Sequence, residues 1–101
     1  MIGRMPAPGV PLEKLGFLTI GTFSPDDPRA GHESLLDEIV LAEQLGFDSV
    51  WLRHRHLQHG VSSPVTVLAA ASQRTSRIEF GTAVTPLGWE NPLRYAEDLA
   101  T

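Results

Sequence analysis

The feature that most constrains the fold is a pattern that occurs three times: a short apolar run, a long loop and an amphipathic helix. The apolar runs start near residues 15, 48 and 78. The repeat is therefore roughly 30 residues, the size of one β-α-β unit. Alternating strands and helices predict a parallel sheet with right-handed crossovers. The runs are largely apolar, as in strands covered on both faces. The pattern predicts an α/β fold.

Helix boundaries follow from capping residues. The first helix has Leu35 and Ile39 on one apolar stripe, and Gly46 suits a left-handed stop after it. Ser63-Pro64 and Asn91-Pro92 predict helix starts, because Ser and Asn cap free N–H groups and Pro fits the first turn. We expect strands at residues 15–20, 48–52 and 78–84, and helices at residues 33–45, 65–75 and from 93 onward.

The loops differ in length. The helix-to-strand connections are two or three residues long, whereas the strand-to-helix connections are about ten residues long and carry most of the unusual side chains. Ligands of α/β folds bind beyond the carboxyl ends of the strands. A functional site is therefore predicted on the face that these long loops form.

Composition excludes several classes. The net charge of −4, from 12 acidic and 8 basic residues, argues against nucleic-acid binding. There is no cysteine, and hence neither a disulfide nor a thiolate metal site. No apolar run approaches the ~20 residues of a membrane span, and the first residues lack the pattern of a secretory signal. A cytoplasmic protein is expected. Residues 1–14, rich in Gly and Pro, are expected to be a flexible arm, and residues 15–101 the folded part.

Three segments resemble the N-terminal third of luciferase-like monooxygenases. They are the helix-to-strand joint at residues 45–52, the loop at residues 53–57 and the stretch at residues 81–101, whose Gly-Thr-Ala-Val strand end and Asn-Pro helix start are the most specific. The resemblance implies a (β/α)8 TIM barrel of which only the first three β/α units are present. A complete barrel takes ~250 residues.

The resemblance also implies a cofactor. The family binds reduced FMN, and a large branch binds a reduced deazaflavin coenzyme instead. It implies that Thr82, Ala83 and Val84 lie at the cofactor, with a non-proline cis peptide between Ala83 and Val84. A small organic substrate, a flavin reductase or NAD(P)H as reductant, and a homodimer are the partners that it implies.

His54, Arg55 and His56 are the predicted catalytic residues. They occupy the place where the family often has Glu-His-His, so Arg55 replaces the usual acid-base His. Arg55 stays protonated and offers a planar donor fork for an anion or a flavin oxygen. Histidine titrates near neutrality and suits proton transfer. No metal site is expected, because no carboxylate lies close in sequence. A solvent-exposed loop without a catalytic role remains the alternative.

Three aromatic side chains are assigned, two in the long loops and one in a strand. Phe23 and Trp89 follow strands one and three and are predicted to contact substrate, with a loop anchor or rim packing as the alternative. Trp51 is expected in the core, with a ligand platform as the alternative. Asp26 and Asp27 are expected to form a turn. Acidic residues expected on the solvent face of the first helix are Glu33, Asp37, Glu38 and Glu43.

Two further alternatives concern the chain as a whole. Ala69, Ala70 and Ala71 permit close helix approach, either in a dimer interface or within the barrel. The leading function is a flavin-dependent monooxygenase that uses reduced FMN and oxygen; deazaflavin-dependent hydride transfer and a non-catalytic, dimerising binding module are the alternatives. Loops after strands seven and eight usually grip the phosphate in such barrels. We therefore expect the 101-residue chain alone to bind flavin weakly and to be inactive.

Overall fold

The structure, a computed structural model, describes residues 9–101. Residues 1–8 of the predicted arm lie outside it, and residues 9–14 form neither helix nor strand. The elements in chain order are β1 (Gly16–Thr19), α1 (Pro28–Gln44), β2 (Ser49–Leu52), α2 (Pro64–Ser72), β3 (Glu79–Thr82), a 3-10 turn at Leu87–Trp89 and α3 (Pro92–Ala100). Their order and type match the sequence prediction.

The three strands form one parallel sheet in the order β1-β2-β3. Ser49 pairs with Gly16 on one side and with Glu79 on the other, so the strands are in step across the sheet. Within the described residues, the predicted parallel α/β arrangement is confirmed. No helix there is long and apolar enough to cross a membrane.

Each helix has a proline directly after its N-cap position, and at two of the three the N-cap side chain makes a capping bond. Asp27 Oδ1 accepts from Ala30 N at 3.1 Å, and Asn91 Oδ1 accepts from Arg94 N at 3.1 Å. At α2 the Ser63 side chain makes no such bond, and the expected hydroxyl cap is wrong. Instead, the Ser63 carbonyl accepts from the Thr66 hydroxyl at 2.8 Å.

Helix α1 begins at Pro28, five residues before the predicted start at residue 33. The expected turn is present, since Asp27 N donates to Ser24 O at 3.1 Å. Asp27 is also the helix cap, a role that the turn interpretation overlooked. At the other end, Gly46 has a φ of +93°, as predicted for a helix stop.

The core lies between the sheet and helices α1 and α2. Leu52 and Val50 point from β2 to this side and are fully buried, as is Ile39 from α1. Full burial of one such side chain contributes about 1.5–3 kcal/mol. The other buried apolar residues are Leu35, Leu36, Ala42, Val61, Leu68, Ala71 and Ile78.

The opposite sheet face carries Trp51, which remains 43% exposed. Alternation along β2 sends Val50 and Leu52 to the helices and Trp51 to the other side, so Trp51 lies outside the core of the described residues and its expected core position stays a prediction. The indole lies across its neighbours. A Cβ on Gly81 would come 2.3 Å from Trp51 Cε3, and one on Gly16 would come 3.3 Å from Trp51 Nε1. Glycine at both positions thus admits the ring.

The amino end of the sheet is held by Glu43, which was expected to face solvent. Its carboxylate accepts the backbone N–H groups of Ser76, Arg77 and Ile78 at 2.8–3.2 Å. These bonds, led by the one from Ile78, hold the pKa of Glu43 below its ordinary value. The Arg77 guanidinium adds bonds to the carbonyls of Glu43 and Phe47 at 3.0 and 2.9 Å. Glu43 therefore joins the end of α1 to the start of β3.

Candidate functional site

An open concavity of about 550 Å³ lies at the carboxyl end of the sheet, where the long loops meet. One wall is the loop after β2, and the other is the segment after β3. Leu18 of β1 contributes to its lining from the open sheet face. The site thus lies on the face that loop lengths predicted.

Backbone hydrogen bonds join the loop after β2 to β1 and to the first residue after β1. Arg53 N donates to Thr19 O at 3.0 Å, and Val61 N donates to Ile20 O at 3.2 Å. Arg55 N donates to Val61 O at 2.7 Å, which closes the loop on itself. Val61 is buried beneath it. These bonds fix the backbone of the three predicted catalytic residues.

Arg55 lines the concavity and is partly buried. One guanidinium nitrogen, Nη1, donates to Gln58 Oε1 at 2.9 Å. Its Nε is buried and has no hydrogen-bond acceptor among the described residues. A buried donor without a partner costs free energy comparable to a lost hydrogen bond. Arg55 therefore carries one buried donor that the described residues leave unsatisfied.

The charge of the concavity is positive. Arg53 and Arg55 line it together with two histidines, and none of its described lining residues is a carboxylate. Cationic side chains without nearby carboxylates favour an anionic or electron-rich ligand. The site therefore has the opposite sign to the chain as a whole.

His54, His56 and Trp89 form one aromatic cluster at this wall. The ring centroids of His56 and Trp89 are 4.3 Å apart, and those of His54 and Trp89 are 5.7 Å apart. The two imidazoles are separated by 5.8 Å. The predicted catalytic histidines and the predicted substrate residue Trp89 thus meet, and the indole holds both imidazoles by packing.

The segment after β3 supplies the second wall. Ala83 and Val84 line the concavity, and the peptide bond between them is cis, as the family resemblance implied. Thr82 does not line it. The Thr82 side chain lies on the helix side of the sheet and accepts a hydrogen bond from the Thr85 hydroxyl at 2.9 Å.

Phe23 lies outside the concavity. Its ring packs against His32 at 4.9 Å and His59 at 5.8 Å between centroids. A Cβ on Gly31 would come 2.3 Å from Phe23 Cβ, so α1 approaches this ring closely. The structure therefore gives Phe23 the place of a loop anchor, and a substrate contact by Phe23 stays a prediction.

A second groove, of about 590 Å³, lies on the helix side of the sheet between α2 and α3. Leu68, Phe80 and Leu99 give it an apolar lining. Thr82, the last residue of β3 and a predicted cofactor residue, lines it, but it holds none of the predicted catalytic side chains. We therefore place the candidate site in the first concavity. Among residues 9–101, no three His, Asp or Glu side chains are grouped as metal ligands.

Sequence reasoning missed Thr85 and Tyr95. The Thr85 hydroxyl lies 2.7 Å from the Tyr95 hydroxyl, which extends the bond between Thr85 and Thr82 to a chain of three hydroxyl groups. A tyrosine in the first turns of a helix near an Asn-Pro start was the available signal. The separation of ten positions between Thr85 and Tyr95 hid the contact.

Relatives of known function match most of the chain. An F420-dependent glucose-6-phosphate dehydrogenase from Intrasporangium calvum is 40% identical over 77 residues, which are 70% of this chain and 23% of that protein. The alkanal monooxygenase alpha chain of Photobacterium phosphoreum is 32% identical over 82 residues, 76% of this chain and 23% of that protein. The chain spans about a quarter of the length of these relatives.

Solved structures match the fold. A monooxygenase from Streptomyces bottropensis superposes with a TM-score of 0.77 at 31% identity, over 87% of this chain and 28% of its own. The oxygenating constituent of 3,6-diketocamphane monooxygenase from Pseudomonas putida, in complex with FMN, superposes with a TM-score of 0.75 at 22% identity, over 84% of this chain and 24% of its own. These likenesses confirm the predicted fold class, the first three units of a (β/α)8 barrel.

The model of the luciferase-like monooxygenase family matches residues 14–101 of the sequence. The match begins just before β1, so it includes every element and every candidate site residue. The parallel sheet, the concavity beyond its carboxyl end and the cis peptide after β3 all lie inside this range. The chain belongs to the luciferase-like monooxygenase family.

Proposed function

We propose that the concavity holds the ring system of reduced FMN and that the protein uses oxygen to oxidise a small organic substrate. The observation that carries this proposal is the pairing of two unlike walls at the carboxyl end of the sheet. One wall is cationic, with Arg53 and Arg55, and the other is apolar, with Ala83 and Val84. A flavin has a flat apolar ring with a polar edge and matches both.

The residues present fit such a group. Arg55 lines the concavity, and its guanidinium is a donor of the right kind for a carbonyl oxygen or an anionic oxygen on the ligand. Ala83, Val84 and Leu18 expose carbon to the concavity and offer an apolar surface to a ring. Bound flavin would supply the electron transfer, and the protein the position and a dry environment.

The chain's own residues have separable tasks in this proposal. Arg55 binds and orients the polar edge of the ligand through its guanidinium. His56, packed at 4.3 Å on Trp89, holds or accepts a proton at the edge of the concavity. The ring centroids of His54 and His56 are 5.8 Å apart. His54 accepts the proton from His56 or returns it to His56. The pairing with Trp89 keeps both rings in place.

Deazaflavin-dependent hydride transfer is the second candidate. It is supported by the relative from Intrasporangium calvum, whose name states dependence on F420, and by a second F420-dependent glucose-6-phosphate dehydrogenase from Amycolatopsis mediterranei that is 35% identical over 77 residues. A deazaflavin ring has the same flat shape, so the two walls of the concavity admit it equally.

The partners follow from this chemistry. The flavin is reduced either by a separate flavin reductase or by NAD(P)H. The substrate that is oxidised is a small organic molecule. A homodimer is supported by Ala69 and Ala70, which are exposed on α2, whereas Ala71 is buried in the core. Small exposed side chains allow another helix to approach closely. We propose α2 as part of that interface.

The deciding experiment uses protein expressed from the complete reading frame that encodes this chain. FMN and F420 are titrated separately, and oxygen uptake is recorded with each in reduced form. Tight FMN binding with oxygen uptake supports the monooxygenase. Tight F420 binding without oxygen uptake supports hydride transfer. Binding of neither coenzyme contradicts both and leaves the non-catalytic module.

Arg55→Ala and Arg29→Ala form the matched pair for the site. Both remove one guanidinium, but Arg29 lies exposed on α1, away from the concavity. We expect Arg55→Ala to weaken coenzyme binding by about tenfold or more, the effect of a lost charged hydrogen bond. Arg29→Ala is expected to bind as the unaltered protein does. Equal binding by both variants contradicts the placement of the coenzyme beside Arg55.

A further inference from the structure

A small polar pocket lies directly behind the aromatic cluster. Its volume is about 80 Å³, and His54 lines both this pocket and the larger concavity. The volume holds on the order of two or three waters, since each occupies about 30 Å³ in the liquid. The pocket's polar lining residues are Ser62, Ser63, Thr85, Glu90, Tyr95 and Asp98. A pocket of this size and polarity is suited to ordered water.

The chain of three hydroxyl groups ends in this pocket. Thr85 Oγ1 donates to Thr82 Oγ1 at 2.9 Å, so the bond of 2.7 Å between Thr85 and Tyr95 has the tyrosine as donor. Tyr95 and Thr85 are both partly buried. Hydroxyls in series polarise one another and hold their directions. Tyr95 is thereby fixed at the pocket wall.

Charged groups connect the pocket to solvent. Glu90 and Asp98 line it and are exposed, and Asp98 is paired with Arg94 at 3.4 Å. His54 itself is faced by Trp89 and by His56 on its other side. The only titratable groups among the described residues that line the pocket are therefore His54, Glu90, Tyr95 and Asp98.

We propose that His54 and this pocket form a proton path between the concavity and solvent, with Tyr95 as a positioning residue. The inference rests on the proposed function, because only a reaction in the concavity needs the path. One ring nitrogen of His54 takes a proton from the concavity side, and the other releases a proton to pocket water. Glu90 or Asp98 passes it to bulk solvent. One proton enters and one leaves, and no electrons move.

Tyr95 orients the water that receives this proton. Its hydroxyl donates to Thr85, and its oxygen lone pairs remain open to a pocket water. Removal of this oxygen leaves the concavity, Arg55 and His56 unchanged. The effect on the reaction is therefore confined to proton movement, which separates a positioning role from a purely structural one.

The first test is turnover of the protein from the complete reading frame, with Tyr95→Phe and the matched hydroxyl deletion Ser72→Ala. Ser72 donates to Ala69 O at 2.7 Å and lies outside both the concavity and the polar pocket. Tyr95→Phe is expected to lower kcat about two- to tenfold, the effect of one hydrogen bond, with an unchanged coenzyme Kd and a larger solvent deuterium effect. Ser72→Ala should match the unaltered protein in all three.

A second variant removes the imidazole. His54→Ala is expected to lower kcat by about a hundredfold, and imidazole added to the buffer should restore part of it. Equal solvent deuterium effects in Tyr95→Phe and Ser72→Ala overturn the proposal. So does a fall in kcat that comes with weaker coenzyme binding and no change in the deuterium effect, because that is the mark of a structural role.

The third measurement needs no turnover. Ring ¹⁵N resonances of His54 in the coenzyme-free protein are expected to shift in Tyr95→Phe, whereas those of His32, which packs on Phe23 away from the pocket, stay unchanged. If the His54 resonances shift but the turnover assay shows no flavin reaction, the proposed function is contradicted and the link between Tyr95 and His54 is not. Unchanged His54 resonances contradict the proton path, whatever the activity.

Discussion

At the amino end of the sheet, the Glu43 carboxylate accepts three backbone N–H groups, whereas at the carboxyl end Arg55 keeps a buried Nε with no acceptor. Both side chains are charged and partly buried, yet one is satisfied by the fold and the other is left open. Satisfied charges of this kind hold a structure together. An unsatisfied one costs stability and is retained where a ligand completes it. The comparison separates an end that stabilises the fold from an end that is available to bind.

The largest expected effect concerns Ile78, at the amino end of β3. Ile78 is 6% exposed and its N–H donates to Glu43 at 2.9 Å. Ile78→Ala is expected to lower the free energy of unfolding by about 2–5 kcal/mol, because it leaves a cavity in the core. Urea unfolding measures this. The matched control is Leu57→Ala at the carboxyl end, where Leu57 is 88% exposed and a change within about 0.5 kcal/mol is expected. Similar losses in both variants contradict the division between the two ends.

The second prediction tests the Glu43 carboxylate by pH. Its pKa is lowered from 4.5 by the N–H groups of Ile78 and Arg77, so its stabilising effect is present above pH 4.5 and is lost as the pH falls through the lowered pKa. Glu43→Gln should therefore unfold at lower urea concentration than the unaltered protein at neutral pH. The difference should narrow well below pH 4.5.

Glu38→Gln is the control for this experiment. Glu38 lies exposed on the same helix and should unfold as the unaltered protein does at both pH values. Two variants with the same urea midpoint at neutral pH contradict the role of Glu43.

The third prediction concerns the open end. Arg55→Lys keeps the positive charge but loses the planar donor group with the buried Nε. We expect the coenzyme Kd to rise about tenfold while the urea midpoint stays unchanged, because lysine does not reproduce paired guanidinium bonds. Fluorescence titration with the coenzyme measures this. An unfolding midpoint that falls as far as in Glu43→Gln shows that Arg55 belongs to the stabilising side of the comparison.

The smallest expected effect is a gain in the free energy of unfolding. Leu57 has a φ of +54°, in the left-handed region that favours glycine. Leu57→Gly is expected to raise the free energy of unfolding by about 0.5–1 kcal/mol, since the left-handed conformation is costly for a residue with a side chain. Leu57→Ala retains a Cβ and should show no gain. A loss of stability in Leu57→Gly indicates that the exposed side chain contacts part of the protein beyond the described residues.

Local signals gave the sequence prediction most of its success. Strand order, the Gly46 stop and the Asn91 cap depend on residues within one turn or one repeat of each other, and all are confirmed. The start of α1 was missed although Asp27-Pro28 carries the same signal as Asn91-Pro92, because the surrounding Pro and Asp residues also predict a turn, which is present.

Contacts across the chain account for the rest. Glu43 meets residues 33 to 35 positions away, and helical periodicity alone places it on the solvent side. The sheet face of Trp51 was not predicted, because a run such as Ser-Val-Trp-Leu does not show which strand face meets the helices. At the site, the approach of His56 to Trp89 joins two loops that no spacing rule relates. The sequence thus predicted the face on which the concavity lies, and only the fold revealed which of its residues meet.

Each of the three helices starts at an N-cap position that is followed by proline. The pairs are Asp27-Pro28, Ser63-Pro64 and Asn91-Pro92. Between a strand's last residue and that proline the chain can change length without altering the helix that follows, provided that anchors such as the buried Val61 are kept. A loop can then be exchanged for one of another size while the scaffold keeps its alignment. For protein engineering, the three prolines are the points at which new loops can be joined to an unchanged barrel segment.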